Sequence, residues 1–171
     1  MVQGSREERR KKVIEVLNKA RSMELQAIHQ YMIQHYDLDD MDYRELAVNL
    51  KQIAISEMRH AETLAERVKE LGGEPTSELA GEVVKGQDLE TIFSFNAGEE
   101  DGAIDAYNQF ALVCRENGDS ISMKIFETFI DDEQNHLNYF ENISKHIKNL
   151  GASYLARIAG NPADSEETEA G

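Results

Sequence analysis

The chain has one cysteine, two prolines and no tryptophan, and only 7% of its 171 residues are aromatic. A lone Cys114 excludes an internal disulfide and any thiolate-rich zinc or iron–sulfur site. So few prolines and aromatics, beside 30% charged residues, suit helices rather than a β-sandwich or barrel. Basic residues are outnumbered, 18 against 33 acids, for a formal net charge of −15. That balance argues against nucleic acid as a partner, because phosphates attract basic faces, and it favours cations. No stretch approaches the ~18 consecutive apolar residues that span a bilayer, so no membrane segment is expected. The basic start MVQGSREERRKK precedes no apolar run and lacks the form of a secretory signal, so a cytoplasmic protein is expected.

What the sequence does contain is helical periodicity, in four long segments separated by turn signals. The first is expected from Ser5 to Tyr36, opened by S-R-E-E in the form of a capping box. The second is expected over Asp40–Leu71, stopped by Gly72-Gly73, and the third over Leu89–Glu116. The fourth follows at once over Asp119–Leu150, and ASYLARIA predicts a short fifth helix at 152–159. The predicted fold is all-α: one domain over 1–160, then an acidic tail at 161–171 too poor in apolar side chains to order itself. Short turns near Leu38 and Gly118 make helical hairpins of helices one and two, and of three and four. Between the hairpins, Gly72 to Asp88 could span about 50 Å at ~3.3 Å per residue, enough to run beside a helix of about 45 Å. Helix three is therefore expected parallel to helix two: a four-helix bundle with a long crossover of the ferritin type.

Steps of three and four residues along each helix mark a core stripe. Helix one gives Val13, Leu17, Ala20, Glu24, Ala27 and Tyr31; helix two runs from Leu46 through Ile53, Glu57, His60 and Leu64 to Leu71. Helix three gives Phe93, Asn96, Glu100, Ala103, Tyr107, Phe110 and Cys114; helix four runs from Ser122 through Phe129, Glu133, His136 and Phe140 to Leu150. Every stripe is interrupted near its middle by a glutamate, and two add a histidine three residues later. The spacing repeats: 33 residues separate Glu24 from Glu57 (57 − 24) and Glu100 from Glu133 (133 − 100). The chain thus reads as two copies of one hairpin, each supplying Glu and then Glu-x-x-His.

Four buried carboxylates repel one another, and each buried charge costs several kcal/mol even after relaxation. Two divalent cations would cancel them, with neutral imidazoles completing the coordination. Carboxylate and imidazole without thiolate suit iron or manganese, and two Glu plus two Glu-x-x-His on a bundle is the ligand set of di-iron and di-manganese proteins. One Glu-x-x-His alone is a weak signal; the repeated set is a strong one. Glu99 competes with Glu100, but stripe and spacing both favour Glu100. His29, His35 and His146 read as surface or packing residues. Tyr31 and Tyr107 read equally as core fillers or as hydrogen-bond donors to ligand carboxylates.

The stretches MELQAIHQY (23–31), ISEMRHAETLAERVKELGGEPT (55–76) and DDEQNHLNYFENI (131–143) closely resemble those of bacterioferritins, particularly from anaerobic sulfate reducers. The resemblance covers nearly the whole chain. It implies a di-iron ferroxidase centre of Glu24, Glu57, His60, Glu100, Glu133 and His136, with Glu57 and Glu133 bridging. Glu24 and His60 would serve one iron, Glu100 and His136 the other. It singles out Met58, a packing residue on periodicity alone, as the axial ligand of a haem shared by two subunits, either haem b or iron-coproporphyrin. It further implies oxidation of Fe(II) by dioxygen or peroxide, mineral storage in a 24-subunit homo-oligomer, and a rubredoxin or ferredoxin as possible electron donor. Gln52, Ile53 and Ser56 stand where some members carry extra acidic and histidine residues, which argues against an auxiliary inner-surface iron site. The competing expectation is a di-metal peroxidase or catalase without storage; the lack of a Cys-x-x-C module argues against a rubrerythrin.

Overall fold

The computed structural model describes residues 4–161. It contains α1 (Arg6–Asp40), α2 (Arg44–Glu70), α3 (Leu89–Glu116), α4 (Ser120–Leu150) and a short α5 (Ala152–Ile158), with no strand among the described residues. The expected tail at 161–171 lies outside the described residues apart from Asn161.

Local chemistry sets most boundaries. Ser5 accepts from the Glu8 amide at 3.2 Å while Glu8 accepts from the Ser5 amide at 2.7 Å, a complete capping box. α2 and α3 end alike. Gly72 and Gly118 take φ of 76° and 75°, and the next amides bond back to the carbonyls of Val68 and Cys114 at 2.9 Å. This is the Schellman pattern, which a side chain at the left-handed position would strain. The first turn falls later than the periodicity suggests. α1 continues four residues past Tyr36 because Leu38 is fully buried, and the reversal is made at Asp42, φ 63°, with Tyr43 bonding back to the Leu38 carbonyl. α2 accordingly starts at Arg44 rather than Asp40.

α1 packs along α2 and α3 along α4, while α1 faces α3 across the bundle. The connection between hairpins runs beside α1 in α1's own direction. Asn18 holds the Glu74 carbonyl and the Thr76 amide at 2.9 Å, and Arg21 Nε reaches the Thr76 carbonyl at 2.9 Å. The Ala80 amide meets the Ser22 carbonyl at 3.0 Å, and the Gln30 amide brackets Val84 with two bonds of 2.8 Å. Gln34 then pairs reciprocally with Asn96 at 2.8 and 2.9 Å, seating the start of α3 against the end of α1. α3 therefore runs antiparallel to α1 and parallel to α2, as a crossover requires.

The core has two apolar halves. One gathers Tyr31, Leu38, Leu46, Leu50, Phe93 and Phe140; the other Val13, Leu17, Leu64, Val68, Tyr107 and Phe126. Each fully buried aliphatic side chain contributes roughly 1.5–3 kcal/mol. The expected stripes occupy these halves, with one correction: Leu150 is 55% exposed. A straight helix turns every 3.6 residues, so a strict seven-residue repeat drifts off the seam by the end of a 31-residue helix. Between the two halves lies a layer of carboxylates.

Candidate metal centre

That layer is built by the middle turns of the four long helices. Glu24, Glu57, Glu100 and Glu133 are at most 3% exposed, and His60 is 5% exposed. His136 is nearly as deep. The six side chains sequence analysis singled out thus come together at one level. They form two overlapping groups, Glu24–Glu57–His60–Glu133 and Glu57–Glu100–Glu133–His136, in each of which one ligand atom per residue lies within 4.8 Å of the rest. Glu57 and Glu133 belong to both. Glu99 is exposed and takes no part.

His60 Nδ1 lies 3.0 Å from Glu57 Oε2, 3.1 Å from Glu133 Oε1 and 3.5 Å from Glu24 Oε1. His136 Nδ1 lies 2.9 Å from Glu57 Oε1, 2.9 Å from Glu133 Oε2 and 4.0 Å from Glu100 Oε1. Proximity is not satisfaction, however. Both Glu57 oxygens and His60 Nδ1 are buried without a properly directed hydrogen bond. Native interiors rarely tolerate such orphans. Glu57 and His60 thus carry bonding capacity that the rest of this chain leaves unused, in a group whose ligand atoms lie within 4.8 Å of one another.

Protons show the same tension. Burial drives the Glu24 carboxyl well above its usual range, and the neighbouring Glu57 charge adds to the rise. Glu100 is raised by burial and by Glu57 and Glu133. Burial also favours neutral Glu57, but the imidazoles of His136 and His60 outweigh it and hold that carboxyl at about 2. Against its own burial, His136 is pulled up to about 10 by Glu133 and Glu57, and His60 is raised by Glu133, Glu24 and Glu57. Protons shared among acids and imidazoles thus hold the balance that divalent cations would otherwise hold.

The supporting contacts cross between hairpins. Tyr31 of α1 donates to Glu100 Oε1 of α3, and Tyr107 of α3 donates to Glu24 Oε1 of α1. Burial and the adjacent carboxylates raise both phenols, so they remain protonated donors. Asp132 is not among the residues that the helical stripes mark. Its Oδ2 lies 3.1 Å from His60 Nε2 on the rim of the cluster, a contact that would keep the proton on Nε2 and leave the Nδ1 lone pair to a bound metal. The signal was available, an acid directly preceding Glu133, but Asp132 lies off the stripe and half in water. His60 also stacks on Phe129 with ring centroids 4.1 Å apart.

A cavity of about 320 Å³ between α1 and α3 reaches Glu24, Glu57, Glu100 and Glu133. Met58 is absent from the cluster. It lies on the outer flank of α2, 53% exposed. His29 and His146 are exposed, and His35 Nδ1 bonds the Ala47 carbonyl at 2.7 Å, all in keeping with surface or packing roles.

A ferritin-like domain model matches residues 14–150. The bacterioferritin of Desulfovibrio desulfuricans is 62% identical over 162 residues, 95% of this chain and 90% of the relative. The chain belongs to the bacterioferritin family. The bacterioferritin of Rhodobacter capsulatus is 33% identical, covering 91% of this chain and 97% of that protein. An X-ray structure of the D. desulfuricans bacterioferritin with its diiron site, reduced in solution and allowed to reoxidise before crystallisation, superposes with a TM-score of 0.95 at 60% identity over 99% of each chain. The chain is accordingly an iron-storing ferroxidase that acts on Fe(II) at a two-iron site within a homo-oligomeric shell, in a family for which haem is typical. Among the described residues no helix is long and apolar enough to cross a membrane.

Proposed function

We propose that Glu24, Glu57, His60, Glu100, Glu133 and His136 are the ligands at which this bacterioferritin oxidises Fe(II), with Glu57 and Glu133 bridging two metal positions. The carrying observation is that these two carboxylates, and no others, belong to both ligand groups. Glu24 and His60 serve one position, and Glu100 and His136 the other. Iron held there supplies the electrons, and dioxygen or peroxide accepts them. The protein positions and balances charge. Glu57 and Glu133 span the pair and can shift between one- and two-oxygen contact. Tyr31 and Tyr107 keep Glu100 and Glu24 oriented. Asp132 keeps Nδ1 of His60 free for metal.

Met58 fits haem as well. Half exposed on α2, it offers a soft, neutral thioether to a group from outside the bundle. We assign it as axial ligand, one from each of two subunits, in a 24-subunit cytoplasmic shell served by a small redox protein such as a rubredoxin or ferredoxin. Residues 1–160 form the working domain.

Glu57→Ala and Glu133→Ala should each abolish rapid Fe(II) oxidation and reduce anaerobic metal binding below two per subunit; unchanged kinetics in both would overturn the ligand assignment. Met58→Leu should remove the Soret band while leaving ferroxidation. A particle far smaller than 24 subunits on gel filtration would favour a di-metal peroxidase over storage.

A further inference from the structure

In a chain with 33 acids, Arg6, Arg9 and Arg10 form no ion pair among the described residues. The acids beside them are engaged elsewhere. Glu7 is held by Lys11 at 2.9 Å, and Glu8 closes the cap on Ser5. Spacings of three and four residues place the three guanidiniums on one side of α1's first turns.

All three line a recess of about 760 Å³ at the end of the bundle, bounded by α1, the end of α2 and the α3–α4 turn. Its other cation, Arg67, has its donors committed to Ser122 at 2.9 Å, Glu70 at 2.7 Å and Asp119 at 3.0 Å. That same commitment occupies Glu70 and Asp119, two of the acids in the lining. Arg9 reaches across to the turn, where its Nη1 would lie 3.5 Å from a side chain on Gly118, and its Nε is buried without any acceptor. A buried guanidinium N–H lacking an acceptor is a standing cost that a ligand oxygen inside the recess would remove. The apolar half-core around Leu17 and Leu64 separates this recess from the carboxylate layer.

We propose that the recess is an oxyanion site for a phosphate group, either orthophosphate or that of a small phosphomonoester. Three guanidiniums approaching from one helix can each take a different oxygen of a tetrahedral anion, whereas a carboxylate offers only two coplanar oxygens. The volume admits a phosphate together with a small organic body.

The test is calorimetric titration of the full-length assembled protein with orthophosphate and, separately, with glycerol phosphate, at constant ionic strength against chloride. One saturable site per subunit is expected for at least one of them, with Arg9→Gln and Arg10→Gln each weakening it about tenfold or more and Lys145→Gln, whose pair with Glu141 lies outside the recess, leaving it unchanged. Helical circular dichroism checks that the variants fold. Tighter binding of glycerol phosphate assigns the site to an ester, tighter binding of orthophosphate to the free ion. Absence of saturable binding by both, equal affinity in Arg9→Gln, or full competition by chloride overturns the proposal. So does a wild type that ignores phosphate while Arg9→Gln loses its assembly, which would make the recess a contact between copies.

Discussion

Tyr107 and Glu24 are 83 residues apart in the chain, yet the phenol of one donates to Oε1 of the other inside the bundle. The mirror pair, Tyr31 and Glu100, repeats the relationship over 69 residues. Each hairpin thus steadies a glutamate of the other, so the two halves of the metal centre are set only when the hairpins dock.

Removing one phenol should expose that dependence. Tyr107→Phe leaves a buried carboxyl oxygen without its donor, a cost of about 1–3 kcal/mol. The metal-free protein should melt roughly 3–8 °C lower by calorimetry, and Fe(II) oxidation should slow. Wild-type melting and kinetics in both Tyr31→Phe and Tyr107→Phe would reduce the tyrosines to core filling.

Asp132 holds the outer nitrogen of His60, so its loss should act on metal without touching a metal. Asp132→Ala is expected to weaken binding at the Glu24–His60 position by about 10–100-fold. Anaerobic Co²⁺ titration followed by visible absorption would show one tight and one weakened site per subunit. Two sites of wild-type affinity would rule out a positioning role.

The protonation pattern sets the sign of the pH response. His136 is raised from the ordinary 6.5 to about 10, so its stabilisation is complete below 6.5 and is lost as pH rises through 10. Glu24 and Glu100 are raised as well; the unfolded chain ionises them first, and the folded metal-free state loses ground as pH climbs above 4.5. Glu57 acts oppositely, but its contribution disappears only as pH falls from 4.5 through about 2. The melting temperature of the metal-free protein should therefore fall between pH 6 and 10. Metal must displace these protons, so Co²⁺ affinity should rise over the same range, with proton release visible as a buffer-dependent binding heat. A metal-free protein that grew more stable toward pH 9 would contradict the charge balance described here.

Gly98 and Gly102 lie in the middle of α3, where each costs about 1 kcal/mol relative to alanine. Both line the cavity above the carboxylates, and a Cβ at either position would meet no atom within 4 Å. Close packing does not account for them; open space does. Gly102→Leu should raise the melting temperature slightly yet slow Fe(II) oxidation several-fold in stopped flow, with Gly102→Ala near wild type. Equal rates for leucine and wild type would show that iron and oxidant reach the centre by another path.

Much of this was legible beforehand because periodicity registers any polar residue placed where a core residue belongs. Glu24, Glu57, Glu100 and Glu133 sit on otherwise apolar stripes, and the crossover follows from the reach of a 17-residue link. Asp132 escaped because it stands off the stripe and earns its place only through His60, 72 residues away. Leu150 and the late turn at Asp42 escaped because small drifts in helical phase, and the burial of one leucine, are settled by neighbours rather than by local preference.

The amino-acid order alone determined that there would be two similar hairpins, each with an acid, then an acid and an imidazole, at matching depth. Helical spacing is a local property and needs no partner. Which oxygen faces which nitrogen, which tyrosine serves which glutamate and which acids belong to both ligand groups were decided only by docking one hairpin on the other. Those contacts join atoms remote in the chain, and no local rule connects them.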